Sequence, residues 1–210
     1  MKPIRIVLVG DSTVATYPKD STKQGWGRML GEFLVPEATV VNLAHGGRSS
    51  KSFIAEGRWD KALKEHADYI LIQFGHNDCP GKGERSTDPN SDYMDNLRKY
   101  VADARSAGAK PILVTSVARR QFTPQGKIRD ELEPYVAAMR RVAAEQHVPL
   151  VDLNATSKAL FEKLGDAASA DLSCDGKDRT HFSPKGARTM AGLVVGSLRQ
   201  AAPDLAGYIK

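Results

Sequence analysis

The sequence predicts an α/β fold: one domain over residues 1–210, built as a three-layer α/β/α sandwich around a five-stranded parallel sheet. Three observations predict it. Short apolar runs alternate five times with stretches of helical spacing, the pattern of repeated βα units. The runs are apolar throughout and do not alternate with polar residues, as strands covered on both faces require. The length of 210 residues, with 41% hydrophobic and 26% charged side chains, suits a single core.

Ile4 to Val9 is the first strand, closed by Gly10. Trp26, Met29, Leu30 and Phe33 then recur at helical spacing. Thr39 to Leu43 is the second strand, followed by His45, Gly46 and Gly47. Ser50 to His66 reads as two helices broken at Gly57, and Tyr69 to Phe74 as the third strand, followed by Gly75. A helix from Tyr93 to Ala107 carries Met94, Leu97 and Val101 on one face and stops at Gly108. Pro111 to Thr115 is the fourth strand. Glu131 to His147 is a helix that tolerates Pro134 because it falls near the first turn. Val148 to Leu153 is the fifth strand, and Ala155 to Leu164 a helix. Ser183 caps the last helix, with Pro184 at its first position, and the helix runs to about Gln200. The polar stretches 80–92, 118–130 and 165–182 are loops, and the first and third lie beside motif residues.

Composition removes several function classes. Lys and Arg number 30 against 25 Asp and Glu, a formal charge of +5. These basic residues are scattered, without the stripe and interleaved aromatics of a nucleic-acid surface. Their excess reads either as a solvated surface or as a mildly basic cleft for an acidic substrate. No stretch approaches the roughly 18 apolar residues of a membrane span. Cys79 and Cys174 make no disulfide framework and lack zinc-site spacing; paired and free remain equal readings. The first strand begins at Ile4, so no signal peptide precedes it. That fits either a cytosolic protein or an exported one whose leader has been removed.

Ligands of an open parallel sheet bind beyond the carboxyl ends of its strands. Four polar clusters fall there: Gly10-Asp11-Ser12-Thr13, Gly46-Gly47-Arg48-Ser49, Gly75-His76-Asn77-Asp78, and Asp178 to His181 before the last helix. Each has a plain structural reading. Ser12 alone reads as a helix cap, Gly46-Gly47 as a tight turn, Asn77 as an Asx turn, and His181 as a surface histidine. A nucleotide-binding reading of Gly10 fails, because no G-x-G-x-x-G or Walker lysine follows. Together the clusters read differently. Asp178 lies three residues from His181, close enough to hold its Nδ1–H, leaving Nε2 to take a serine proton. A serine after a strand offers its Oγ and backbone N–H to one point, a glycine brings a second N–H close, and Asn77 adds a side-chain donor. Asp11 reads as a brace for the Ser12 turn.

In order and spacing, these four clusters resemble the blocks of the SGNH, or GDSL-like, hydrolase superfamily, from residue 10 to residue 181. Gly-Asp-Ser-Thr-Val at 10–14, Gly-Gly-Arg-Ser-Ser-Lys-Ser-Phe at 46–53 and Asp-Arg-Thr-His-Phe-Ser-Pro at 178–184 resemble the rhamnogalacturonan acetylesterase branch. The resemblance implies a flavodoxin-like SGNH fold and a serine esterase that removes acetyl groups from an oligo- or polysaccharide. It implies Ser12 as nucleophile, His181 as base and Asp178 as its partner. Ser12 N–H, Gly47 N–H and Asn77 Nδ2 would form the oxyanion hole, and no metal or cofactor is expected. Arg48, His76, Arg119 and Arg120 are candidate substrate contacts. A lipase or thioesterase for longer acyl chains fits the same triad, and a binding protein on an inactive scaffold is a more distant alternative.

Overall fold

The computed structural model describes residues 1–210. Its element order is β1 (Ile4–Gly10), α1 (Trp26–Met29), β2 (Ala38–Asn42), α2 (Ser50–Ala55), α3 (Arg58–Leu63), β3 (Tyr69–Gln73), α4 (Asp92–Ser106), β4 (Lys110–Val114), α5 (Glu133–Glu145), β5 (Leu150–Val151), α6 (Leu153–Ser169) and α7 (Pro184–Ala201). All neighbouring strands are parallel, in the order β2-β1-β3-β4-β5.

The apolar runs are continuous because both sheet faces are covered. Ile4, Ile6 and Leu8 pack on one side with α1, α6 and α7, in a core that includes Phe161, Met190 and Val194. Val7 and Val9 face the other side, with Phe53 and Trp59 from α2 and α3 and Leu97, Tyr100 and Met139 from α4 and α5. Successive residues of a strand point to opposite faces, so one apolar run serves two cores.

The strand order positions the site. β2 lies on one side of β1 and β3 on the other, so the chain leaves these strands in diverging directions. A crevice forms where the order reverses. Ser12 follows β1, Asn77 follows β3 and Gly47 follows β2, and all three stand at this crevice.

The structure shortens the fifth strand to Leu150–Val151. Asp152 ends it by capping α6, its carboxylate accepting the Ala155 N–H at 3.2 Å, so Leu153 belongs to the helix. α6 in turn passes the expected stop at Leu164. Gly165 breaks the helical dihedrals at φ +75°, but helical turns resume to Ser169 and continue as a short 3-10 turn at Ala170–Leu172. The expected pair of helices broken at Gly57 is present, with Gly57 at φ +67°. Ser183 caps α7 by accepting from Gly186 N–H at 3.1 Å, with Pro184 in the first turn. A last 3-10 turn, Pro203–Tyr208, folds back so that the Tyr208 hydroxyl donates to the Lys2 carbonyl.

Candidate active site

Asp11 organises the turn after β1. Its Oδ1 accepts the Thr13 N–H at 2.9 Å and the Thr13 hydroxyl at 2.8 Å, and its Oδ2 lies 3.3 Å from His76 Nδ1. Gln73 Nε2 donates to the Thr13 hydroxyl at 2.6 Å, and Trp26 Nε1 donates to Gln73 Oε1 at 2.8 Å. Every member of this chain is buried. Burial raises the Asp11 pKa, but the His76 ring and the Thr13 donors outweigh it and hold the carboxyl below its usual range. The turn that presents Ser12 is therefore braced from within the core.

Ser12 itself is partly exposed. His181 Nε2 lies 3.0 Å from Ser12 Oγ, and His181 Nδ1 lies 2.8 Å from Asp178 Oδ2. A carboxylate only accepts, so this contact puts the proton on Nδ1 and leaves Nε2 to accept from the Ser12 hydroxyl. Asp178 Oδ1 also accepts the N–H groups of Thr180 and His181, each at 2.7 Å. Burial raises the Asp178 pKa, and these N–H groups with the His181 ring overcome it, so the carboxyl stays below its usual range.

The loop carrying Asp178 and His181 is pinned at both ends. Cys174 N–H donates to the His181 carbonyl at 3.2 Å and Ser183 N–H to Leu172 at 3.0 Å, while Gln24 N–H donates to Phe182 at 2.9 Å. The guanidinium of Arg120 pins it from below. It donates to the Asp178 carbonyl at 3.3 Å, to Ser169 Oγ at 3.1 Å and to the Asp166 carbonyl at 3.2 Å.

The turns after β1, β2 and β3 each carry a donor with capacity to spare. The N–H groups of Ser12 and Gly47 are not taken by any backbone carbonyl. Gly47 has φ +78°, a left-handed conformation that favours glycine. A side chain on neighbouring Gly46 would stand 3.7 Å from the Ser12 Cβ, which shows how closely the second turn approaches the first. Asn77 Nδ2 donates one hydrogen to the Arg48 carbonyl at 3.1 Å, fixing the amide and leaving its other hydrogen free. Gly75, at φ +147°, lets the third turn pack on Ser116, whose Oγ would lie 2.3 Å from an added Cβ.

Asp78 locks the second and third turns together. Its carboxylate accepts Ser50 N–H at 3.0 Å, Ser50 Oγ at 2.6 Å and Thr87 Oγ1 at 3.1 Å. It is fully buried with no basic partner, and burial pushes its pKa up to about 7 despite those bonds.

The candidate substrate contacts separate. Arg48 bonds Glu56 through Nε at 3.0 Å and the Gly46 carbonyl through Nη1 at 2.9 Å, so it anchors its own loop. Arg120 is 1% exposed; the expectation that it meets substrate is corrected, because its charge is spent on the loop beneath His181. His76 is buried, with Nδ1 3.3 Å from Asp11 Oδ2. Arg119 alone stays at the crevice, its Nη1 donating to Thr180 Oγ1 at 3.2 Å. Cys79 and Cys174 are free thiols, and Trp26 lies in the core. One residue at this edge escaped the sequence reading. Arg85 donates to the Gly47 carbonyl at 2.7 Å, and a lone arginine in a polar loop carries no pattern to announce it.

Residues 8–189 match the model of the GDSL-like lipase/acylhydrolase family. The chain belongs to this family. Members are ester hydrolases, and the class of this enzyme follows: a carboxylic ester hydrolase. The chain is 41% identical to the "Probable rhamnogalacturonan acetylesterase YesY" of Bacillus subtilis, covering 93% of this chain and 92% of that one. It is 39% identical to the rhamnogalacturonan acetylesterase RhgT of the same organism, covering 99% and 95%. In structure it is similar to the YXIM protein of Bacillus subtilis, with a TM-score of 0.87 and 30% identity over 99% of this chain. It spans 58% of the length of that protein.

Proposed function

We propose that this GDSL-family hydrolase is a serine acetylesterase acting on O-acetylated polysaccharide, with acetylated rhamnogalacturonan as its substrate. The observation that carries the reading is the run of contacts from Ser12 Oγ through His181 to Asp178, at 3.0 and 2.8 Å. The substrate follows the names of the two Bacillus relatives, which match over nearly their whole length.

The chemistry runs through these groups. His181 Nε2 accepts the Ser12 proton as Oγ attacks the acetyl carbonyl, and Asp178 stabilises the imidazolium through Nδ1–H. The tetrahedral oxyanion receives the N–H groups of Ser12 and Gly47 and the free hydrogen of Asn77 Nδ2. Collapse breaks the ester C–O bond, and His181 returns the proton to the departing sugar oxygen. A water then loses its proton to His181, attacks the acetyl-serine, and releases acetate and Ser12.

The longer-acyl reading predicts an apolar cavity beside Ser12. Turnover across a series of 4-nitrophenyl esters of increasing acyl length separates that reading from the acetyl one.

The test is acetate release from acetylated rhamnogalacturonan and acetylated xylan by wild type and Ser12→Ala. Wild type should release acetate from the pectic chain, and Ser12→Ala should lose on the order of 10⁴-fold in turnover. Release from xylan alone would overturn the substrate. An unaffected Ser12→Ala would overturn the mechanism, and equal turnover of acetate and octanoate esters would favour the lipase-like reading.

A further inference from the structure

Five arginines surround the Ser12 edge, and three of them have a carboxylate partner. Arg48 pairs with Glu56, and Arg120 and Arg179 share Asp166. Arg85 and Arg119 have no carboxylate partner. Arg85 is half-buried, with Nη1 on the Gly47 carbonyl at 2.7 Å and Nε on the Lys82 carbonyl at 3.3 Å. Arg119 is also half-buried. Its Nη1 reaches Thr180 Oγ1 at 3.2 Å and its Nη2 reaches the His76 carbonyl at 3.5 Å, at the limit of a hydrogen bond.

Arg119 is under-satisfied as well as unpaired. Across the chain, two buried side-chain polar atoms lack any partner: Arg119 Nε and His76 Nε2. They belong to residues in contact with each other on one wall of the crevice. Native proteins leave few such groups, and those that remain call for an explanation. A guanidinium surrounded by long, neutral acceptors keeps most of its charge uncompensated. Turning its fork toward an incoming carboxylate costs it little internally and gains a bidentate, charge-assisted pair.

The two cations bracket the reacting centre. Arg85 rests on the Gly47 turn, on the side of the oxyanion donors. Arg119 rests on Thr180, next to the base His181. We infer that Arg85 and Arg119 are specificity-determining residues that take carboxylates of uronate residues in the substrate chain, one on each side of the acetylated sugar. This deepens the proposed esterase reading and rests on it. The selectivity is assigned to two guanidinium groups left without a carboxylate partner at the crevice.

The test uses Arg85→Gln, Arg119→Gln and Arg119→Lys in the full chain. The readout is the ratio of kcat/KM on acetylated rhamnogalacturonan to kcat/KM on neutral acetylated xylan. Each Gln change should lower this ratio by about 10-fold or more, through KM on the acidic polymer, since a charge-assisted hydrogen bond to the carboxylate is lost. Arg119→Lys should recover part of the loss, because it restores charge without the fork. A ratio that stays constant in both Gln variants overturns the proposal, even if both rates fall, because the arginines then only hold their loops. Calorimetric titration of unacetylated oligogalacturonate into Ser12→Ala, with and without Arg119→Gln, measures the same contacts without catalysis. Binding weakened about 10-fold by Arg119→Gln supports the assignment whether or not Ser12 is the nucleophile, and equal affinities refute it.

Discussion

Asp78 is a carboxyl with no solvent contact and no cation beside it, and Asp78→Asn measures what that burial does. The ionised form accepts four contacts from Ser50 and Thr87, yet the folded pKa rises from the ordinary 3.8 to about 7. The folded state therefore keeps its proton through a range in which the unfolded chain has lost it. A raised folded pKa gives stability that is fully present below about pH 4, falls as pH climbs, and is gone above about pH 7. At about 1.4 kcal/mol for each tenfold change in proton affinity, the fall is about 4 kcal/mol. Asn cannot ionise, so the stability of Asp78→Asn relative to wild type should improve by about 4 kcal/mol between about pH 4 and pH 8. Urea unfolding across that pH series, followed by the fluorescence of buried Trp26 and Trp59, reads the difference directly. A difference that is flat with pH refutes the reasoning, for then the carboxyl ionises in place without penalty.

Two further outcomes follow from the site. Asn77→Ala should lose about 10²–10³-fold in kcat with KM little changed, as removing one oxyanion donor does; steady-state kinetics on 4-nitrophenyl acetate checks it, and full activity would remove Asn77 from the oxyanion hole. Arg120→Met should destabilise the chain by about 2–3 kcal/mol, because three acceptors beneath the Asp178 loop lose a charged donor. A thermal melt should fall by about 5–10 °C, and kcat should fall more than KM rises, since the loop that holds His181 loosens.

The fold was legible in the sequence because each strand interior is nearly all apolar and each helix carries one face. What failed lies at boundaries where one residue serves two elements. Leu153 extends an apolar run and so reads as strand, yet Asp152 has already capped a helix. Gly165 has the dihedrals of a stop, yet helical turns resume beyond it, where Arg120 bonds the Asp166 carbonyl and Ser169. The geometry of the candidate site was legible where a spacing brings two side chains together, as with Asp178 and His181, which meet at 2.8 Å. It was not legible for arginines. Arg48, Arg85, Arg119 and Arg120 look alike as letters, and only the carboxylates and carbonyls around them distinguish a loop strut from a free cation.

The contact between Ser12 and His181 joins residues 169 positions apart. Bringing such distant segments together carries a large loop-closure cost, met only once the sheet and α7 have assembled between them. On the proposed mechanism, catalytic competence therefore requires both ends of this contact to be in place. During refolding, helical signal and tryptophan burial can return while Ser12 still lacks its contact with His181, so on the proposed mechanism recovered hydrolysis marks the last step. In the opposite direction, the same mechanism predicts that a small local opening of the 173–181 loop silences hydrolysis long before the domain melts. Turnover is in this sense a stricter gauge of native structure here than any spectroscopic one.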